Sequence, residues 1–188
     1  MTMRKLLILS ITLLLAGCAR YSLVEPGTTS AGAMSVTPTQ AWNKATGGFL
    51  GREYWTQDGT ALNVILFING IADGEPLFKA RKTAQFGAFR ATMLPHEIME
   101  LTESSLAKAF GSTATATSNL RPVEFMGATG FAFNYSFVTQ ADVPTRGLAR
   151  GVVKDGKLYM ILYQAAETYY YEAGLPEAEQ IMNSARES

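Results

Sequence analysis

Hydrophobic and polar positions along this chain follow two periods, and each predicts its own kind of element. Leu62, Val64, Leu66 and Ile68 are apolar, and so are Ile65 and Phe67 between them. A run apolar on both faces suits a central strand. Phe131, Phe133, Tyr135 and Phe137 alternate with Ala132, Asn134, Ser136 and Val138, which predicts a strand with one aromatic face on a core. Asp-Gly pairs punctuate these runs, because both residues tolerate positive φ. Asp155-Gly156 separates "LARGVVK" from "KLYMILYQAA" and predicts a hairpin. Asp58-Gly59 separates "LGREYWT" from "ALNVILFING", and Asp73-Gly74 marks a longer excursion.

A period near 3.6 appears twice. "LPHEIMELTESSLAKAFG" carries an apolar stripe of Ile98, Leu101, Leu106, Ala109 and Phe110. Pro95 near its start, Glu97, Glu100 and Glu103 early, Lys108 late and Gly111 after it suit the ends of a helix. "PEAEQIMNSAR" places Ala178, Ile181, Met182 and Ala185 on one face, and Pro176, Glu177 and Glu179 suit its N-terminus. The order is a hairpin, an excursion, a helix, about four antiparallel strands and a closing helix. That order predicts an α+β domain, with an antiparallel sheet of about six strands and two main helices packed on it.

The N-terminus follows neither period. Arg4 and Lys5 precede an apolar run from Leu6 to Ala16, the order of an export signal. At ~1.5 Å per residue, that run falls well short of the ~30 Å of hydrocarbon a spanning helix crosses. Leu15-Ala16-Gly17-Cys18 resembles the lipobox of bacterial lipoproteins. The resemblance implies cleavage between Gly17 and Cys18, a diacylglycerol on the Cys18 thiol and an acylated amine, which together give firm anchoring. Residues 1–17 are thus read as a signal peptide. Residues 18–39, rich in Ser, Thr, Gly, Ala and Pro, are read as a lipidated cysteine with a flexible tether. Residues 40–188 are read as one domain that folds alone. Ala19, where an Asp would favour retention at the inner membrane by the rule of enteric bacteria, points to the periplasmic face of the outer membrane in a Gram-negative host.

Cys18 is the sole cysteine, so no intramolecular disulfide or multi-cysteine metal site exists. Without residues 1–17 the chain carries 14 basic and 16 acidic residues. Such a balance leaves no electrostatic footprint for nucleic acid.

The element order, closed by "GKLYMILYQAAE" and "LPEAEQIMNSAR" with Gly156, Leu158 and Tyr159 in the late strand and a helix ending near Ser184, resembles the PsbP-like fold. The likeness spans about Phe49 to Arg186. It implies an antiparallel sheet with packed helices, in a family of photosystem extrinsic subunits and small exported or lipidated bacterial proteins. Such proteins serve binding and assembly more than catalysis.

Little in the chain suggests chemistry. His96 is the sole histidine; Glu97 beside it lies on another helix face, and Glu100 at i+4 adds only one more ligand. No G-x-S-x-G elbow accompanies it, and "ATGGFLGREY" lacks the Lys and Ser/Thr of a phosphate loop. No cofactor is expected. Lys79, Arg81, Lys82 and Arg90 gather in one span, either as an exposed edge strand or as a dock for an anionic partner. Tyr169, Tyr170 and Tyr171 cannot all face inward, so they are candidate contact residues for an envelope protein. These readings predict a non-catalytic lipoprotein, held in the bilayer by acylated Cys18, that binds or stabilises another envelope component. The alternatives are a carrier or sensor of a small apolar ligand in a sheet–helix pocket, and a hydrolase using Glu97, Glu100 or Glu103. Replacing Cys18 with Ser is expected to leave an unlipidated, full-length precursor, read by intact-mass spectrometry. A mature, membrane-partitioning Cys18→Ser protein would refute the anchor.

Overall fold

A computed structural model describes residues 21–45, 49–79 and 86–188. Cys18, Gly17, Arg81 and Lys82 lie outside the described residues. Among the described residues, eleven strands and two helices follow one another: β1 (Ser22–Val24), β2 (Thr29–Ala31), β3 (Met34–Val36), β4 (Trp42–Ala45), β5 (Glu53–Thr56), β6 (Asn63–Ile71), α1 (Pro95–Phe110), β7 (Ala116–Phe125), β8 (Ala128–Val138), β9 (Pro144–Lys154), β10 (Lys157–Ala166), α2 (Tyr170–Ser184) and β11 (Arg186–Glu187). Eight strands form one antiparallel sheet in the order β1-β4-β5-β6-β10-β9-β8-β7, and β11-β3-β2 form a second.

The α+β architecture is as the periodicity predicts; β8, β9 and β10 cover the runs that the pattern marks as strands, and β7 supplies the fourth of the expected four. The count of about six is too low. The strands it lacks are short ones near the N-terminus, where three or four residues are too few to show a period.

The large sheet is covered on both sides. On one face, Val64, Leu66, Ile68, Leu158, Met160 and Leu162 meet α1 and the excursion that carries Leu77, Phe78 and Phe89. On the other, Ile65, Phe67, Ile161 and Tyr163 meet α2 and the small sheet. The doubly apolar β6 is therefore central, as its sequence predicts. Asp155 and Gly156 both take positive φ in the β9–β10 turn, and Met126 and Gly127 do so between β7 and β8.

Helix α1 has the expected ends. Pro95 occupies its first turn, the Glu97 carboxylate accepts the Leu94 N–H at 2.7 Å, and Gly111 adopts the left-handed conformation after the last turn. Helix α2 starts six residues before Pro176, a correction to the sequence reading. The Tyr163 hydroxyl from β10 donates to the carbonyls of Tyr170 and Tyr171, at 2.8 and 3.1 Å. A Cβ at Gly174 would sit 2.4 Å from that hydroxyl. This bond to the sheet fixes the first turn, and no local signal announces it.

The tether reading fails for residues 21–39. Val24, Ala31, Met34 and Val36 are buried in the core beneath α2. Two side chains of α2, seven residues apart and so on one face, hold the segment by its backbone. Glu177 accepts the N–H groups of Thr39 and Gln40 at 2.8 and 3.1 Å, and also the Thr39 hydroxyl. Ser184 accepts the Thr37 N–H at 2.7 Å and donates to the Ile181 carbonyl. Composition missed this because polar Ser and Thr face outward while four apolar side chains face in. Burial of Val24, Met34 and Val36 contributes ~1.5–3 kcal/mol each, against a total stability of ~5–15 kcal/mol. A chain of residues 40–188 is therefore expected to lack a cooperative thermal transition that residues 21–188 retain, read by near-UV circular dichroism. Equal melting of the two would show the N-terminal strands to be dispensable.

Candidate functional site

Strand β8 supplies the floor on the α1 side of the sheet. Phe131, Phe133, Tyr135 and Phe137 are all buried there. Opposite them in register stand Gly151, Ala149 and Gly147 of β9, with Thr145 facing Phe137. The aromatic rings lie across these small residues: a Cβ at Gly147 would fall 2.1 Å from the Tyr135 ring, and one at Gly151 would fall 2.9 Å from Phe131. Tyr135 thereby reaches over β9 and donates to the Tyr163 carbonyl on β10 at 3.0 Å, with the Gln164 side-chain oxygen at 3.3 Å. Full burial pushes the Tyr135 hydroxyl pKa well above its ordinary value, so it acts as a hydrogen-bond donor and not as a base.

A concavity opens at each end of this stripe. The larger, about 520 Å³, lies between the start of α1 and the free β7 edge, and its walls include Met93, Pro95, Ile98, Leu120, Pro122 and Phe131. Leu94 and Leu120 stand exposed in this region. The smaller, about 370 Å³, lies beyond the end of α1 among Phe110, Phe137, Thr145, Gln164, Gln140 and Leu62. Phe110 stacks on Phe137 with centroids 4.3 Å apart. Phe131 and Phe137 are six residues apart on one strand, or ~20 Å. Phe133 and Tyr135 fill the interval and line neither cavity. The stripe as a whole lines no single pocket: its ends touch two, and its middle is core.

On the opposite face, β9 and the C-terminal segment are clipped together by charge. Arg146 pairs with Glu172 at 2.7 Å, Arg150 with Glu179 at 3.6 Å, and Lys154 with Glu187. Between the first two pairs, four strand residues advance ~13 Å and seven helical residues ~10.5 Å, so the spacings stay in step; Glu187 lies beyond α2, in β11. Arg150 also donates to the Asn183 side chain; burial lowers its pKa, with Glu179 opposing. The Arg146 guanidinium lies 4.3 Å from the centre of the Tyr171 ring.

The candidate contact residues separate. Tyr169 is 70% exposed, Tyr170 is half-buried, and Tyr171 is buried beneath Arg146. Tyr171 is therefore a packing residue, which corrects its assignment as a contact. Lys79 is exposed, and its backbone N–H donates to Leu50. Arg90 is exposed and pairs with Asp73 at 3.2 Å. The described part of the cationic span forms no strand; Pro76 and Ala88 make a single bridge. Lys79 and Arg90 follow β6, whereas Tyr169 follows β10, and those strands are antiparallel. Arg90 and Tyr169 hence lie near opposite ends of the sheet. Arg52, which the sequence reading overlooked, secures the excursion by donating to the carbonyls of Leu77 and Pro76 at 2.8 and 2.6 Å.

The residues weighed for catalysis are dispersed. His96 is exposed in the first turn of α1, Glu97 caps that helix, Glu100 is exposed, and Glu103 accepts the Thr117 hydroxyl. Among the described residues, no group of three or more His, Asp, Glu or Cys is placed to hold a metal ion. Among the same residues, no helix is long and apolar enough to cross a membrane.

No protein-family model matches this chain, and no curated protein matches it. Its fold is similar to that of the cyanobacterial PsbP protein CyanoP from Synechocystis sp. PCC 6803, with a TM-score of 0.57 over 93% of this chain and 96% of that one, at 11% identity. The chain therefore has the PsbP-like fold that its element order resembles. At that identity the likeness extends to the fold and stops there.

Asp73 offers a test of how the excursion is held. Its carboxylate accepts the Ala91 N–H at 2.9 Å and the Arg90 guanidinium. The Ala91 bond chiefly, then Arg90, holds its pKa below the ordinary value. A depressed carboxylate stabilises the fold above its unfolded pKa, about 3.9, and loses that effect as pH falls through the lower folded value. Native Asp73 is expected to protect the Ala91 amide from hydrogen exchange more than Asp73→Asn does at pH 6, and equally once the Asp73 carboxylate is protonated. A difference independent of pH would show the carboxylate charge to be irrelevant.

Proposed function

We propose that this chain is a membrane-anchored envelope lipoprotein whose domain binds and stabilises another envelope protein without catalysis. The observation that carries the reading is the groove between α1 and β7, an apolar surface bordered by exposed leucines at the outer edge of a firmly packed sheet. Apolar side chains there gain little in water and much against a partner's apolar segment. Tyr169 is a second contact candidate, being the most exposed large side chain of its group. The hydrolase alternative draws no support from glutamates that cap a helix, face solvent or bind a threonine.

A second reading, a carrier of a small apolar ligand, is favoured by the volume of the same groove, which falls in the range of small-molecule sites. One experiment separates the two. The tagged, lipidated protein is cross-linked in intact cells, purified in mild detergent, and analysed by mass spectrometry for proteins and for extracted small molecules. Recovery of one envelope protein, reduced at least several-fold by Leu120→Asp with unchanged folding, is the expected result. A stoichiometric small molecule lost with the same substitution would favour the carrier. Leu120→Asp leaving both unchanged would overturn the groove as the binding site.

A further inference from the structure

If Cys18 is acylated, the first strand of the domain lies almost at the bilayer. Only Ala19, Arg20 and Tyr21 separate that cysteine from β1, which begins at Ser22. The four Cα–Cα steps from Cys18 to Ser22 reach at most ~15 Å, and a headgroup layer is ~5–7 Å deep. The ~20-residue tether that would let the domain reorient is folded into β1 to β3 instead.

The residues at this place suit an interface. β1 is the outermost strand of the large sheet. Tyr21 and Leu23 project from one side of it, 49% and 62% exposed, while Val24 points into the core. Tyr21 is held upright by Tyr54, ring edge to ring face at 6.2 Å, with the two hydroxyls 3.3 Å apart. Tyrosine favours the boundary of water and hydrocarbon, and an exposed leucine gains by entering it. Arg20 adds a cation next in sequence, suited to anionic headgroups. The cation at Lys44, across from Ser22, is already paired with Glu53 at 3.1 Å. Glu25, exposed just past the strand, belongs in water and limits the contact to the Tyr21 end.

We infer that the domain docks on the phospholipid surface through its β1 edge, with Tyr21 and Leu23 in the headgroup layer and the large sheet standing away from the membrane. Seven strand spacings of ~4.8 Å place the β7 edge and its groove ~34 Å from β1. The groove is then presented outward, beyond the headgroups, where another envelope protein can reach it. This inference rests on the lipoprotein reading.

The chain has no cysteine besides Cys18, and thioether formation would block that one, so single introduced thiols can be labelled uniquely. Full-length Leu23→Cys and Leu120→Cys proteins are produced in lipidating cells and carry a bimane label. They are reconstituted in phosphatidylethanolamine–phosphatidylglycerol vesicles containing doxyl-labelled phospholipid. Mass spectrometry of the N-terminal peptide first reports acylation; an unmodified Cys18 overturns the anchor and the docking with it. With acylation present, bimane at position 23 is expected to be quenched several-fold more than at position 120. Equal quenching, or none at 23, overturns the docking while leaving the anchor intact. A label at 23 shielded from lipid, together with self-cross-linking of Leu23→Cys, would place a second copy on this edge and also overturn it. Both positions are exposed, and unchanged circular dichroism controls for folding.

Discussion

Strands β6 and β10 carry apolar side chains on both faces, and a sheet built on them must be covered twice. Helix α1 and the excursion before it cover one face. The other is too broad for α2 alone, and the chain completes that cover with its own N-terminal strands. Much of the remaining architecture follows from this demand. Residues that look like a linker become β1 to β3, the last residues pair with β3 as β11, and Glu177 and Ser184 fasten the added layer to α2. The charge ladder from β9 then keeps α2 aligned above the sheet. Its exposed pairs each contribute little to stability, on the order of 0–1 kcal/mol, so their effect is chiefly one of register.

On the α1 side, packing is settled by a size match between neighbouring strands. Four aromatic rings on β8 need room, and Gly147, Ala149 and Gly151 on β9 leave it. Tyr135 uses that room to reach β10, tying three strands with one hydroxyl. The stripe is dense enough to act as a wall, and the two cavities that it touches lie at its ends.

The proposed anchor and the fold bear on each other. A long tether would leave the orientation of the domain unset. On the lipoprotein reading, a span of three residues would make orientation a structural property, because the edge that received the anchor would determine which surface faces away. The opposing edge, β7, has Pro122, a register shift and the charged residues Arg121 and Glu124. Those features discourage strand-to-strand association along the edge itself and leave the adjoining groove as its apolar feature.

The sequence by itself determined the class of fold, the central strand, the Asp155-Gly156 hairpin, the aromatic face of β8 and both ends of α1. All of these rest on interactions within about ten residues, where period and capping are readable. The resemblance to a signal and lipobox is read in the same local way, as a linear segment. Tertiary structure decided the rest. Tyr171 is buried because Arg146 lies over it, α2 starts early because Tyr163 bonds its first turn, and the cavities exist where the β8 stripe runs out. Residues 21–39 are ordered because a bare sheet face and Glu177, some 140 positions away, await them. Composition averages over a segment, whereas burial depends on which few side chains find an apolar surface, and that surface exists only once the distant strands have assembled.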